Sequence, residues 1–190
     1  MISVRHIAAG CALALFATSA TAGNGPLGSA LTIKGGVSTT SVENFEAVPS
    51  GAMPAAGLDL ASITVRYAGG VTSGVQNGLA PNDCPQLVAD GYALGPVEKA
   101  EPYDIVIDFK EAPTDLGIGL CGSPFPPLKD TTVEIFAADG SSLQSTTFSA
   151  GRIFAERVTY TGSTPAGYAV IHAGGHVYVD NIISGAPVKH

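Results

Sequence analysis

Seven residues, Asp104-Ile105-Val106-Ile107-Asp108-Phe109-Lys110, constrain this chain more than any others. Side chains of an extended strand point to alternate faces. Ile105, Ile107 and Phe109 therefore share one side, and Asp104, Asp108 and Lys110 the other. A helix of 3.6-residue period would scatter both sets around its axis. The run is a strand with one buried and one wet face, and such a face needs a second layer packed against it.

The same alternation returns along the chain. Thr132 to Ala137 sets Val133 and Ile135 opposite Glu134, and Ala138-Asp139-Gly140-Ser141 separates it from a further run, Leu143 to Phe148. An Asp-Gly pair between two strand-like runs predicts a hairpin, because glycine accepts positive φ without a steric penalty. Glu111 to Thr114 turns the chain ahead of a strand at Leu116 to Leu120. Further strands are expected at Leu31–Lys34, Ser41–Phe45, Ile63–Tyr67, Ala155–Tyr160, Tyr168–His172 and Val177–Ile183, with Gly174-Gly175 as a hairpin turn between the last two. No stretch keeps helical periodicity over three turns; Ala55 to Ala61 is too short and follows Pro54. With 24 glycines and 13 prolines to make turns, the pattern predicts an all-β fold, a two-sheet antiparallel jelly-roll β-sandwich over residues 30–186, followed by a short tail, 187–190. Ala68 to Lys99 is the least regular stretch and reads as long loops.

The first 22 residues have the form of a signal peptide: Arg5 and His6, an apolar run from Ile7 to Phe16, then Ala20-Thr21-Ala22 as small-x-small. That run is too short to span a bilayer, which needs about 20 residues. Ala8-Ala9-Gly10-Cys11 only loosely resembles a lipoprotein box, because its apolar stretch follows the cysteine instead of preceding it. A secreted or periplasmic protein is expected, with 23–29 as a flexible leader and no membrane insertion after cleavage. Cleavage leaves 168 residues with 8 Lys+Arg against 16 Asp+Glu, a net charge of −8. That charge repels nucleic acid and anionic lipid.

Cys84 and Cys121 remain after cleavage. In an oxidising compartment an isolated pair is expected to form a disulfide. Its loop of about 38 residues would stabilise the fold by roughly 4 kcal/mol in the chain-entropy treatment.

Four short motifs resemble those of bacterial galactose-binding-like jelly rolls. Val42-Glu43-Asn44-Phe45-Glu46 is similar to their Asn-x-x-Phe-Glu opening. Ile105 to Phe109 with Ala112-Pro113 and Leu116-Gly117-Ile118 resembles their central strand pair, and Val133 to Gly140 their "V-x-I-F-x-x-D-G" hairpin. Val177-Tyr178-Val179-Asp180-Asn181-Ile182 resembles their closing strand. The set spans Ser41 to Ser184 and is most similar to secreted single-domain PEP-CTERM-type proteins, although the chain ends Ala186-Pro187-Val188-Lys189-His190 without the sorting tail. The resemblance implies a structural calcium ion held by Glu46 and Asp180, with backbone carbonyls completing a shell of six to eight oxygens. Many relatives place two acids where this chain has Asp180-Asn181.

Other constellations are weaker. His172, His176 and Asp180 would line up as a zinc set on an unbroken strand, but Gly174-Gly175 interrupts it. No Gly-x-Ser-x-Gly motif occurs, and Asp104 and Asp108, the acids a glycosidase would need, lie on a wet strand face. With no tryptophan, a sugar-stacking surface must use Tyr or Phe. Tyr67, Tyr92, Tyr103, Phe125 and Tyr160 are the candidate rings, with Asn77, Asn82, Asp83 and Asp90 as polar neighbours; Tyr67, Asn82, Asp83 and Tyr92 form the expected ligand set. The chain reads as a noncatalytic binding module for extracellular glycan. The alternatives are a self-associating matrix protein of the cell surface or biofilm, and a small glycan-active enzyme.

Overall fold

The computed structural model describes residues 37–54, 56–69, 75–79, 92–96, 102–122, 129–150 and 154–187. The signal peptide, the leader, the strand expected at Leu31–Lys34 and Asn82, Asp83, Cys84 and Phe125 lie outside them. Among the described residues there are strands and turns but no α-helix.

Two antiparallel sheets make a β-sandwich, as the alternation requires. The strands are β1 (Val37–Glu43), β2 (Gly51–Ala52), β3 (Leu58–Asp59), β4 (Ile63–Gly69), β5 (Val75–Leu79), β6 (Tyr92–Pro96), β7 (Tyr103–Phe109), β8 (Asp115–Gly122), β9 (Thr131–Phe136), β10 (Ser142–Phe148), β11 (Phe154–Thr161), β12 (Tyr168–Ala173) and β13 (Val177–Pro187). One sheet runs β10-β9-β12-β7-β4-β3. The other runs β11-β8-β13-β6-β5-β2, with β1 also paired to β13. Successive strands therefore cross between sheets repeatedly, the winding of a jelly roll.

The core lies where the sequence puts its apolar faces. Ile105, Ile107 and Phe109 of β7 point inward with Val133 and Ile135 of β9, Ala169 and Ile171 of β12, and Ile63 and Val65 of β4. Facing them are Leu116, Ile118 and Leu120 of β8, Val158 and Tyr160 of β11, and Val177, Val179 and Ile182 of β13. Each fully buried Ile or Leu contributes about 1.5–3 kcal/mol of transfer free energy. On β8 the inward apolar residues alternate with Gly117, Gly119 and Cys121. Their small side chains leave room on the sheet's other face, where the Arg157 side chain crosses Gly117 and Cys121 packs with Ala93 and Tyr178.

The Asp-Gly hairpin is present. β9 and β10 pair antiparallel, Gly140 has φ of 85°, and Ala137 N donates to Ser141 O at 2.9 Å. Two expectations fail. Ala68–Lys99 is not loop alone, for β5 and β6 lie within it and pair with each other. Their Gly-rich and Pro-ended segments are short and carry no extended alternation to advertise them. Gly174-Gly175 is not a hairpin turn either, because β12 and β13 belong to different sheets. The connection crosses the end of the sandwich, with Gly174 packed so close to the Lys129 and Asp130 carbonyls that a Cβ would not fit.

Candidate functional site

The outer face of the six-stranded sheet can be built from register alone. Tyr168 of β12 lies between Phe136 of β9 and Asp108 of β7; Val170 lies between Glu134 and Val106; His172 lies between Thr132 and Asp104. Across β4, Thr64 opposes Asp108 and Arg66 opposes Val106. Each of these residues alternates with a core residue, so the buried set of the sheet and this partly exposed set come from one pattern.

Three interactions organise the face. Phe136 and Tyr168 stack with ring centroids 4.9 Å apart and planes 16° from parallel. Arg66 clasps Asp108 with two charge-assisted hydrogen bonds, Nε to Oδ2 at 2.8 Å and Nη2 to Oδ1 at 2.9 Å. His172 bridges three strands: Nδ1 lies 2.8 Å from Asp104 Oδ1 on β7, and Nε2 lies 3.0 Å from Glu134 Oε2 on β9. Partial burial pushes the His172 imidazole down, but its bonds to the two carboxylates outweigh that and hold it above its ordinary value. The face thus carries an aromatic pair at one end, Val106 and Val170 in the middle, and polar clamps around them.

Sequence reasoning missed Phe136 and Tyr168. The signal was available: Phe136 falls on the same side of β9 as Glu134, so alternation already placed an aromatic ring on a wet face. Of the rings suspected instead, Tyr103 and Tyr160 belong to the core at 2% and 8% exposure. Tyr103 Oη donates to Val177 O at 2.7 Å, and Tyr160 Oη donates to Thr164 O at 2.5 Å. Tyr67 opposes Ile105 and packs against the core from β4. Tyr92 opens β6, where its N–H meets Glu46.

His172 and His176 stand at opposite ends of the crossing between the sheets. Both nitrogens of His172 are taken by carboxylates, and His176 lies beyond the crossing to the other sheet, where burial lowers its pKa. Among the described residues no group of three or more His, Cys, Asp or Glu could hold a metal through those side chains alone.

The opening and closing motifs do meet. β1 pairs with the end of β13 as far as Glu43↔Ile182, whereas β6 pairs with its start at Val179↔Leu94. Between the two partners β13 carries a bulge, its register shifting between Asp180 and Ile183. The extra residue explains why Val177, Val179 and Ile182 all reach the core. Asn181 in the bulge (φ 48°) and Phe45 in the opening loop (φ 55°) both adopt left-handed backbone. Glu46 Oε1 accepts from Tyr92 N at 2.8 Å, which draws the opening loop to this junction. Asp180 is wholly buried, and Asn181 Nδ2 donates to its Oδ2 at 3.2 Å. Arg157 Nη1 donates to Asn181 O at 2.8 Å; burial lowers the pKa of its guanidinium, while the Asp180 charge works the other way. The donors at the junction are carboxylate and carbonyl oxygens, the type calcium takes, with Arg157 already supplying part of the positive charge.

No protein-family profile matches the sequence, and no curated protein does so. Among solved structures, the K2 cleaved adhesin domain of Lys-gingipain is similar with a TM-score of 0.49 at 13% identity, covering 76% of this chain and 96% of that one. CsCBM6-3 from Clostridium stercorarium, in complex with cellobiose, gives 0.37 at 16% identity over 63% and 86%. The family 29 carbohydrate-binding module CBM29-2 gives 0.35 at 10% identity over 66% and 94%. All three are remote, so any function must be argued from the chain's own side chains.

Proposed function

We propose that the chain is a secreted, noncatalytic binding module that holds glycan on the outer face of its six-stranded sheet. The observation that carries this is the Phe136–Tyr168 stack, partly exposed on a rigid sheet and ringed by hydrogen-bonding groups. A pyranose has an apolar C–H face and a rim of hydroxyls, so an aromatic surface beside fixed donors and acceptors suits it. Asp104, Asp108 and Glu134 face Arg66 and His172 here, and that balance favours neutral glycan over uronate-rich or sulfated chains. Secretion rests on the form of the first 22 residues.

Calcium belongs to the same proposal as a structural ion. Glu46, through its second carboxylate oxygen, and Asp180 would hold it and tie the opening loop to the bulge of β13. The Cys84–Cys121 disulfide is proposed from compartment and cysteine count, and Cys121 is buried on β8.

The test is depletion of the protein from solution by insoluble cellulose, xylan and chitin, using wild type, Phe136→Ala and Tyr168→Ala. Loss of either ring is expected to weaken binding severalfold, because it removes part of the apolar surface that the sugar would cover. Tyr67→Ala and Tyr92→Ala report on the ligand set expected from the sequence. If folded Phe136 and Tyr168 variants bind like wild type while Tyr67 or Tyr92 variants fail, the site is not on this face.

A further inference from the structure

We propose that Glu134 is a hydroxyl acceptor for the bound glycan, masked by His172 in acid and released as pH rises, so that the face binds more tightly in basic than in acidic solution. This rests on the glycan reading of the same face.

Proton bookkeeping on the His172 ring leads to it. Both ring nitrogens lie within hydrogen-bond distance of carboxylate oxygens. An ionised carboxylate can only accept, so keeping both bonds requires hydrogen on both nitrogens, the imidazolium form of the ring. A neutral imidazole has one N–H. When the proton leaves for solvent, one nitrogen turns a lone pair toward a carboxylate, and that contact is lost.

Geometry says which one. Asp104 is the direct cross-strand partner of His172, at 2.8 Å. Glu134 reaches the ring diagonally, its own cross-strand partner being Val170, at 3.0 Å. The Nδ1–H bond to Asp104 is kept and Glu134 is freed. Glu134 is two residues from Phe136 on the same side of β9, roughly 7 Å along the strand. A sugar stacked on the aromatic pair therefore has this carboxylate about one ring away.

The surroundings leave His172 as the gate. β7 presents Asp104 and β9 presents Glu134, while Lys129 and Asp130 line the small cleft at its side. Asp130 Oδ1 is engaged by Ala150 N. β10 brings the uncharged Thr147, bonded to Thr132, and from β4 Arg66 is held by Asp108. His176, on the far side of the crossing, has a lowered pKa and titrates at more acid pH.

The experiment repeats the depletion on cellulose, xylan and chitin at about pH 5 and about pH 9, bracketing the histidine range. It uses wild type, His172→Gln, Glu134→Gln and Phe136→Ala, with the His172 ring titrated by NMR. Wild-type affinity is expected to rise about fivefold or more across the range. His172→Gln should bind at acid pH as wild type does in base, and Glu134→Gln should flatten the response. Binding that depends on Phe136 but not on pH, or a pH response that survives His172→Gln, overturns the gate and leaves the glycan face standing. Absence of binding at every pH, or binding indifferent to Phe136→Ala, overturns the face and the gate together.

Discussion

Replacing Tyr103 by Phe removes one oxygen from the centre of the sandwich, and the structure says what that should cost. Tyr103 lies on β7 in one sheet, and its hydroxyl donates at 2.7 Å to the carbonyl of Val177 on β13 in the other. The ring is 2% exposed. Burial, together with the nearby Tyr178, pushes the phenol far above its ordinary pKa, so it stays a neutral donor throughout the accessible range. Tyr103→Phe keeps the ring and its packing but leaves the Val177 carbonyl without this donor where water does not replace it. Such a loss costs about 1–3 kcal/mol. For a domain of this size each kcal/mol lowers Tm by about 2–4 °C, so a fall of roughly 2–12 °C is expected. Urea unfolding followed by far-UV circular dichroism and a thermal scan would measure it, with Tyr160→Phe as comparison, whose hydroxyl bonds only four residues away at Thr164. A Tyr103→Phe protein as stable as wild type would refute the view that this bond helps hold the two sheets together.

Other outcomes are set by the same packing. A double-mutant cycle on Phe136 and Tyr168 should return a coupling of about 0.5–1.5 kcal/mol in denaturant unfolding, the range of stacked pairs; zero coupling would mean the rings do not meet in solution. Gly174→Ala should destabilise by about 1–3 kcal/mol, because its Cβ would strike the Lys129 and Asp130 carbonyls, and a neutral result would contradict that packing. His172 has a folded pKa above its unfolded value of about 6.5. Its stabilisation is therefore full below pH 6.5 and is lost as pH rises through the folded pKa. The pair is half-exposed, which limits the effect to about 1 kcal/mol or less; His172→Gln should remove that slope in stability measured against pH. Calcium should raise Tm and EDTA reverse it in wild type but not in Glu46→Ala, whereas indifference to both would remove the ion from the junction of β1, β6 and β13.

Alternation was enough to read most of the sandwich. β7 showed its inner and outer faces without ambiguity, and β9, β10 and the turn at Gly140 followed from the same rule and from the backbone freedom of one glycine. The wet face of β9 was legible as well, although the meaning of Phe136 beside Glu134 appeared only when Tyr168 arrived from β12. β5 and β6 were not legible, since five-residue strands without clear periodicity look like loop until neighbouring strands pair with them.

What the sequence determined by itself was local: which residues face inward, where turns form, and that two apolar faces must close on each other. Tertiary structure decided what depends on partners distant in the chain. The Asp104–His172–Glu134 bridge joins residues 68 and 38 positions apart, and the Phe136–Tyr168 stack exists because β12 inserts between β7 and β9. Likewise, Gly174-Gly175 turns between sheets and not within one because β13 finds its partners in β8, β6 and β1. Period-two patterning fixes a face but carries no information about the neighbouring strand. That choice belongs to the packing of the whole sandwich.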